Sequence, residues 1–183
     1  GYKVTVAEQE EELREGAKLL ERVVTRIYTP GSLYEESLIG TDASALLCSL
    51  LIENDTAAIS MIDASTGHAW AVAFSGDGKW ASVYDEIMRW NPSELVLTPQ
   101  DAERSEFLNL VGMVDSIVVS QHSVQPKRAH QRLKAMLEVN DLGHIDLGQS
   151  PEALQATALA ADYLASVHRH YEIAIRDVEI QDT

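Results

Sequence analysis

The chain has 183 residues, enough for one domain of ordinary size or for one domain and a piece of another. Its 29 acidic residues outweigh 14 basic ones to give a net charge of −15, which excludes a surface built to track nucleic-acid phosphates unless the cations are segregated. The apolar fraction of 45% excludes bulk disorder, and the longest apolar run, residues 45–52, is far too short for the roughly 20 residues of a membrane span.

In chain order, residues 2–6 alternate as a short strand. Residues 8–24 carry Leu13, Ala17, Leu20 and Val24 at helical spacing, with Glu8, Glu10, Glu11 and Glu12 crowding the start, where the helix dipole favours negative charge. Residues 23–29 are β-branched and predict a strand, ended by Pro30-Gly31. A strand, a helix and a strand have too few partners to close a core, so this part reads as the tail of something larger. Gly1 in place of methionine agrees with a fragment. Cys48 is the only cysteine and sits in an apolar run, where it reads as a small buried hydrophobe in an intracellular protein.

After Thr41 the rhythm changes. Residues 46–52 form a near-continuous apolar strand, Asn54-Asp55 marks a turn, and residues 57–62 form a second strand ended by Ser65-Thr66-Gly67. The third strand, 69–74, places Trp70, Val72 and Phe74 on one face and Ala69, Ala71 and Ala73 on the other, an alanine face that lets a helix approach closely. Connections this short make the three an antiparallel meander. Trp80, Val83, Tyr84 and Ile87 then predict a helix stopped by Asn91-Pro92. Residues 95–97 predict a strand, Phe107, Leu108, Leu110 and Val111 a helix opened by Asp101, and residues 117–119 another strand. Pro126 opens a helix with Ala129, Leu133, Met136 and Leu137 inward. Ser150-Pro151 opens an alanine-rich one that reaches His168, with Leu154, Ala158, Ala161 and Ala165 along one side. The fold class is α/β: an RNase H-like mixed sheet, an antiparallel three-strand meander followed by helix–strand units and flanked by helices, preceded by a partial strand–helix–strand segment.

Such an order raises metal-dependent nuclease chemistry, which needs carboxylates converging from central strands to hold two cations about 4 Å apart. The strand at 46–52 carries no acid, and neither does the one at 95–97. Asp63 precedes the Ser65-Thr66-Gly67 turn and reads as its hydrogen-bond acceptor. Gly76-Asp77-Gly78-Lys79 lacks the first glycine and the Ser or Thr of a phosphate loop, whose places hold Ala73 and Trp80. The histidines show no ligand spacing: His168 and His170 point to different helix faces, and His68, His122, His130 and His144 are scattered. Two small basic groups, Lys127, Arg128, Arg132 and Lys134, then His168, Arg169, His170 and Arg176, read as solvated helix faces.

Several segments carry a family resemblance. G-Y-K-V-x-V-x-E-Q at 1–9 and R-V-V-x-R-I-x-T-P-G-[ST]-L at 22–33 resemble the DNA mismatch repair family MutS, as do Leu46-Leu47, I-x-M-I-D-A-S-T-G at 59–67 and N-P-S-E-L-V-L at 91–97. The resemblance covers nearly the whole chain. It implies that residues 1–38 are the C-terminal tail of the mismatch-recognition domain, 39–44 a linker, 45–170 the connector domain and 171–183 a lead-in to the core domain. The family's Phe-x-Glu mismatch wedge would lie upstream, since Phe74 and Phe107 lead other residues, and its ATPase would lie downstream.

The implied function is a connector that links the mismatch-binding domain to the clamp and ATPase core, relays conformational change and offers a docking surface to a MutL-type partner. No catalytic, cofactor-binding or metal-binding residue is assigned in this chain, and it is not read as an enzyme. ATP and Mg belong to the parent protein, as do mismatched DNA as ligand and dimerisation; no membrane contact is implied. The docking surface lies near residues 129–133, where Gln131 matches the family pattern and His130 and Arg132 replace other polar types. Ala129 and Leu133 point inward by spacing, so Gln131 and Arg132 face solvent, and mutating both is expected to weaken partner binding without affecting folding. The T-P-G-[ST]-L form leans toward bacterial and mitochondrial branches, hence cytoplasm or mitochondrion as location. Two other readings stand beside this one: a metal-dependent nuclease, and a free-standing protein-interaction adaptor, which would require residues 1–31 to pack onto the sheet.

Overall fold

The computed structural model describes residues 2–9, 22–32, 46–114, 117–142, 150–168 and 175–181. Strands β1 (Val4–Gln9) and β2 (Arg22–Tyr28) pair antiparallel with an irregularity between Val6 and Ala7. This revises both ends of the helix expected at 8–24: Glu8 and Gln9 belong to β1 and Arg22 to Val24 to β2, while residues 10–21 lie outside the described residues. The run Val23-Val24-Thr25 favours a pleated backbone over a helix, and pairing with β1 decides it. A single 3₁₀ turn, Pro30–Ser32, then carries the chain onto the main sheet.

That sheet has six strands in the order β7-β6-β3-β4-β5-β8. Strands β3 (Leu46–Glu53), β4 (Thr56–Asp63) and β5 (His68–Ser75) pair antiparallel in sequence order. The β3–β4 reversal places Asn54 at φ 52°, a left-handed value that asparagine tolerates better than most residues. Parallel to β3 lies β6 (Glu94–Leu97), with β7 (Val118–Gln121) beyond it; β8 (Asp177–Gln181) lies parallel to β5 on the other edge. Residues 177–181, within the segment expected to lead into another domain, form the sheet's sixth strand. Its D-V-E-I-Q alternation suits an edge strand with one face on the core.

Period-two alternation divides the strands between two cores. On one face Leu47, Ile62, Ala69 and Val96 meet α4 (Pro126–Met136) and α5 (Pro151–Val167). On the other, Cys48, Leu50, Ile59, Met61, Val72, Leu95 and Leu97 meet α1 (Lys79–Trp90) and α3 (Ser105–Met113). Each fully buried Leu or Ile contributes about 1.5–3 kcal/mol of transfer free energy. The alanines of α5 bring its backbone against the sheet, where Ser49 donates to the Ala156 carbonyl at 2.6 Å and the Thr157 hydroxyl lies 3.0 Å from that of Ser60. Burial pushes the Cys48 thiol far up from its ordinary pKa, so it stays protonated and inert.

Three local expectations change. The helix expected to open at Asp101 is two: α2 (Pro99–Ala102) is capped by Thr98, whose hydroxyl accepts the Asp101 N–H at 3.1 Å, and α3 starts afresh at Ser105. Phe107 and Leu110 face the core while Leu108 is exposed. The strand expected at 95–97 begins one residue earlier, at Glu94, an acid with no exposed surface; β3 also runs on to an exposed Glu53.

Candidate functional site

His130, Gln131 and Arg132 lie on α4, which Pro126 starts with its fixed φ and missing N–H. The helix holds four Lys or Arg residues and no acid. Ala129 and Leu133 are buried against α5, as their spacing requires, and Gln131 is exposed. Arg132 corrects its expectation. Its Nε lies 2.8 Å from Oδ1 of Asp162 on α5, a carboxylate 2% exposed, and Arg128 Nε stands 3.4 Å from the same oxygen. The second oxygen accepts the Nε2–H of His122 at 2.9 Å. An arginine next to an inward face reaches the core boundary with its flexible stem, so helical angle alone misjudges where its charge goes. The first basic group is thus partly an internal ion-pair network; in the second, His168 is buried and bonds the Ser32 carbonyl at 2.8 Å, while Arg169 and His170 lie outside the described residues.

His130 is half-buried. Its Nε2 is sealed from solvent without a hydrogen-bond partner among the described residues. With Ile52, Thr98, Asp101, Val124 and Gln155 it lines a cavity of about 290 Å³ at the C-terminal ends of β3, β6 and β7.

A second centre is built on Glu94. Its Oε2 accepts the Gly31 N–H at 3.1 Å, and its Oε1 accepts the hydroxyls of Tyr163, at 2.6 Å, and of Ser120. Lys3 Nζ stands 3.8 Å from Oε1 and lies over the Tyr163 ring. Burial, then the Glu94 charge and hydrogen bond, push the Tyr163 hydroxyl well above its ordinary pKa, so it remains a donor. Gly31 is needed for close approach: a Cβ there would stand 2.8 Å from Glu94 Cβ and 3.1 Å from Leu47 Cα. Thr29 and Ser32 close the turn around it, with their hydroxyls 2.7 Å apart and Ser32 N–H donating to the Thr29 carbonyl at 3.1 Å. The Thr-Pro-Gly-Ser sequence is therefore a buried plug, self-satisfied at its ends and donating its middle N–H to Glu94.

The two centres share α5. Tyr163 and Asp162 are consecutive, and the His122 ring stands edge-on to Tyr163 at 5.5 Å between centroids.

Other sequence-singled residues have local roles. Asp63 Oδ1 accepts from the Ser65 N–H, the Ser65 hydroxyl and the Thr66 N–H at 2.9, 2.6 and 3.3 Å. Burial raises its carboxyl pKa, but these bonds outweigh it and hold the group below the usual range. Lys79 donates to Asp55 at 2.7 Å and to the Gly76 carbonyl at 3.2 Å, closing the Gly76–Lys79 loop on itself. Among the described residues no three His, Cys, Asp or Glu side chains are grouped to hold a metal ion.

Residues 44–175 match the family model for MutS domain II and residues 1–37 that for MutS domain I. The chain belongs to the MutS family. A DNA mismatch repair protein MutS from Anaeromyxobacter sp. is 30% identical over 169 residues, spanning 92% of this chain and 19% of that protein. The MutS of Syntrophomonas wolfei is 38% identical over 97 residues, 53% of this chain and 11% of that protein. The MutS of Thermus aquaticus is 29% identical over 127 residues, 69% and 15%. The chain thus spans a fifth or less of these relatives' length. A Fowlpox virus resolvase bound to Holliday junction DNA aligns at TM-score 0.46 and 16% identity, covering 66% of this chain and 97% of that one.

Within this MutS frame, Glu94 joins the two matched stretches: Lys3 and Gly31 fall in the domain I match, and Glu94, Ser120 and Tyr163 in the domain II match. Sequence reasoning missed Glu94, Tyr163 and Asp162. A signal for the last was present, since Asp162 stands in A-A-D-Y-L, where a buried carboxylate demands cationic partners.

Proposed function

We propose that this chain is the connector of a MutS-type DNA mismatch repair protein together with the end of its mismatch-recognition domain, the connector having an RNase H-like sheet. It holds the mismatch-binding domain to the clamp and ATPase core and relays movement between them. ATP, Mg and mismatched DNA are ligands of the parent protein, which works as an intracellular dimer. The observation that carries the reading is Glu94, whose carboxylate bonds the backbone of the domain I stretch and two hydroxyls of the domain II stretch at once. A contact of this kind is a physical route for a relay, because a hydrogen-bonded network shared by both stretches can carry coupling between them.

The MutL-type partner docks on α4, with Gln131 at the centre of contact and His130 beside it; Arg132 shapes the surface from its ion pair with Asp162. In the full-length protein Gln131→Ala is expected to weaken capture of the MutL-type partner roughly tenfold, the loss of one hot-spot contact, with an unchanged melting temperature. Arg132→Lys, which keeps a cation beside Asp162, reports whether the guanidinium itself is contacted. Capture unchanged by Gln131→Ala would refute docking at α4.

A further inference from the structure

Helices α1 and α3 cover the sheet face opposite to α4 and α5 and touch each other only sparsely. Val83 and Ile87 of α1 and Phe107 and Leu110 of α3 fill the core beneath. Above them runs a groove of about 400 Å³ whose floor and walls are Trp80, Tyr84, Leu110 and Met113, with Asp85 and Glu106 on its two sides. Met113 is 59% exposed, and Met88, one helical turn beyond Tyr84, is 52% exposed. A groove of this size accommodates two or three large apolar side chains.

The charges around it are one-sided. Lys79 is paired with Asp55 at 2.7 Å, Arg89 with Glu86 at 3.4 Å and Arg104 with Asp101 at 3.1 Å, so each cation of this region is already matched. Asp85 and Glu106 have no ion pair among the described residues. Glu106 is held below the usual carboxylate range, chiefly by its own backbone N–H and then the Ser105 hydroxyl. Arg104 and Lys79 attract it more weakly, neither of them within ion-pair distance of it.

We propose that this groove receives a short amphipathic peptide segment of a protein partner, with two or three apolar side chains at helical spacing seated between Tyr84 and Met113 and Lys or Arg residues flanking them to meet Asp85 and Glu106. The carboxylate rim repels nucleic-acid phosphates and anionic membranes. A second copy of the chain is disfavoured by the same rim, because a two-fold contact would bring acid against acid. Methionine and aromatic walls suit an apolar guest whose contour is not fixed in advance. The site lies on the other face from α4, so the two surfaces can be occupied together.

The test is selection of a displayed library of randomised 14-residue helical peptides on the full-length parent protein, followed by anisotropy titration of the enriched peptide. Two surface variants are compared: Met113→Lys, which places a cation in the groove, and Leu108→Lys, on the same helix, equally exposed and outside the groove. Enriched peptides are expected to pair apolar residues at three- or four-residue spacing with flanking Lys or Arg. Their affinity should fall at least roughly tenfold for Met113→Lys, as for a lost hot spot, and stay unchanged for Leu108→Lys; it should also weaken with salt. No enrichment, acidic flanks, or equal loss in both variants would overturn the proposal. So would failure of a Met113→Cys thiol to react with maleimide in the full-length protein, since another part of the parent would then fill the groove.

Discussion

Replacing Glu94 by alanine removes the acceptor for three donors at once, in a place without solvent. Hydrogen bonds to a charged group are each worth about 1.5–3 kcal/mol, but their sum overstates the loss, because the buried carboxylate was itself costly to desolvate. The hydroxyls of Ser120 and Tyr163 can turn toward other acceptors; the Gly31 N–H is fixed by the turn and cannot. The expected net loss is about 3–5 kcal/mol, the usual cost of breaking a buried ionic network, against a total stability of about 5–15 kcal/mol. For a chain of this size that lowers the melting temperature by about 6–20 °C. Glu94→Gln separates the contributions: its amide oxygen can still accept from both hydroxyls, but its NH₂ then faces the Gly31 N–H, donor against donor. That variant should lose about 1–3 kcal/mol, with amide exchange rising at residues 29–32 while β3 and β4 stay protected. Urea denaturation gives the first quantity and mass-resolved hydrogen exchange the second. A Glu94→Ala protein within about 0.5 kcal/mol of the parent, the range of an unremarkable surface change, would refute the hub.

Gly31→Ala drives a Cβ to 2.8 Å from Glu94 Cβ and 3.1 Å from Leu47 Cα, so denaturation should show the roughly 1–3 kcal/mol cost of overpacking. Arg132→Ala leaves Asp162 with Arg128 and His122 and, since Arg132 is partly solvated, should cost about 1–2 kcal/mol, whereas Gln131→Ala should stay within about 0.5 kcal/mol; equal melting curves would contradict the ion pair. Burial holds His168 below its ordinary value of 6.5, partly offset by its bond to the Ser32 carbonyl. The unfolded chain therefore takes up this proton more readily, and stability is full above pH 6.5 and falls as pH drops from there through the lowered folded value. His168→Gln should flatten that part of the stability profile, and an unchanged slope would count against the assignment.

The central sheet was legible because its strands announce both faces. Trp70, Val72 and Phe74 alternate with Ala69, Ala71 and Ala73, and connections of two and four residues leave little choice of partner. Ser150-Pro151 marked a helix start for the same local reason. The misses came where the deciding group lies far along the chain. Glu94 follows Asn91-Pro92-Ser93 and reads as a solvated strand end; its burial depends on donors from residues 31, 120 and 163. Likewise β8 is a modest alternating stretch until β5 is known to leave an edge unpaired. The split between α2 and α3 was a local signal passed over, since Thr98-Pro99 carries the cap and the first-turn proline together. For Arg132 the helical angle was right and the reach of the side chain was not.

The misjudged residues also lie along one physical route. The domain I plug bonds Glu94; Glu94 bonds Tyr163; the next residue back on α5, Asp162, holds Arg132 and Arg128 of α4. Every link is a hydrogen bond or ion pair; Glu94, Tyr163 and Asp162 are buried, while Arg132 is partly and Arg128 largely solvated. Between them α5 is fixed to β3 and β4 through Ser49 and Thr157. Such a helix transmits displacement along its axis better than it absorbs it, because its alanine face leaves no loose side chains to rearrange. Proximity alone does not make coupling; a double-mutant cycle does. Glu94→Gln and Arg132→Lys leave packing volume nearly intact at both ends. If α5 carries strain between the domain I plug and α4, the two changes should be non-additive in partner capture by the full-length protein, by about 0.5–2 kcal/mol. Strict additivity would reduce the two centres to independent structural supports, with no line from the docking surface proposed on α4 to the domain I stretch.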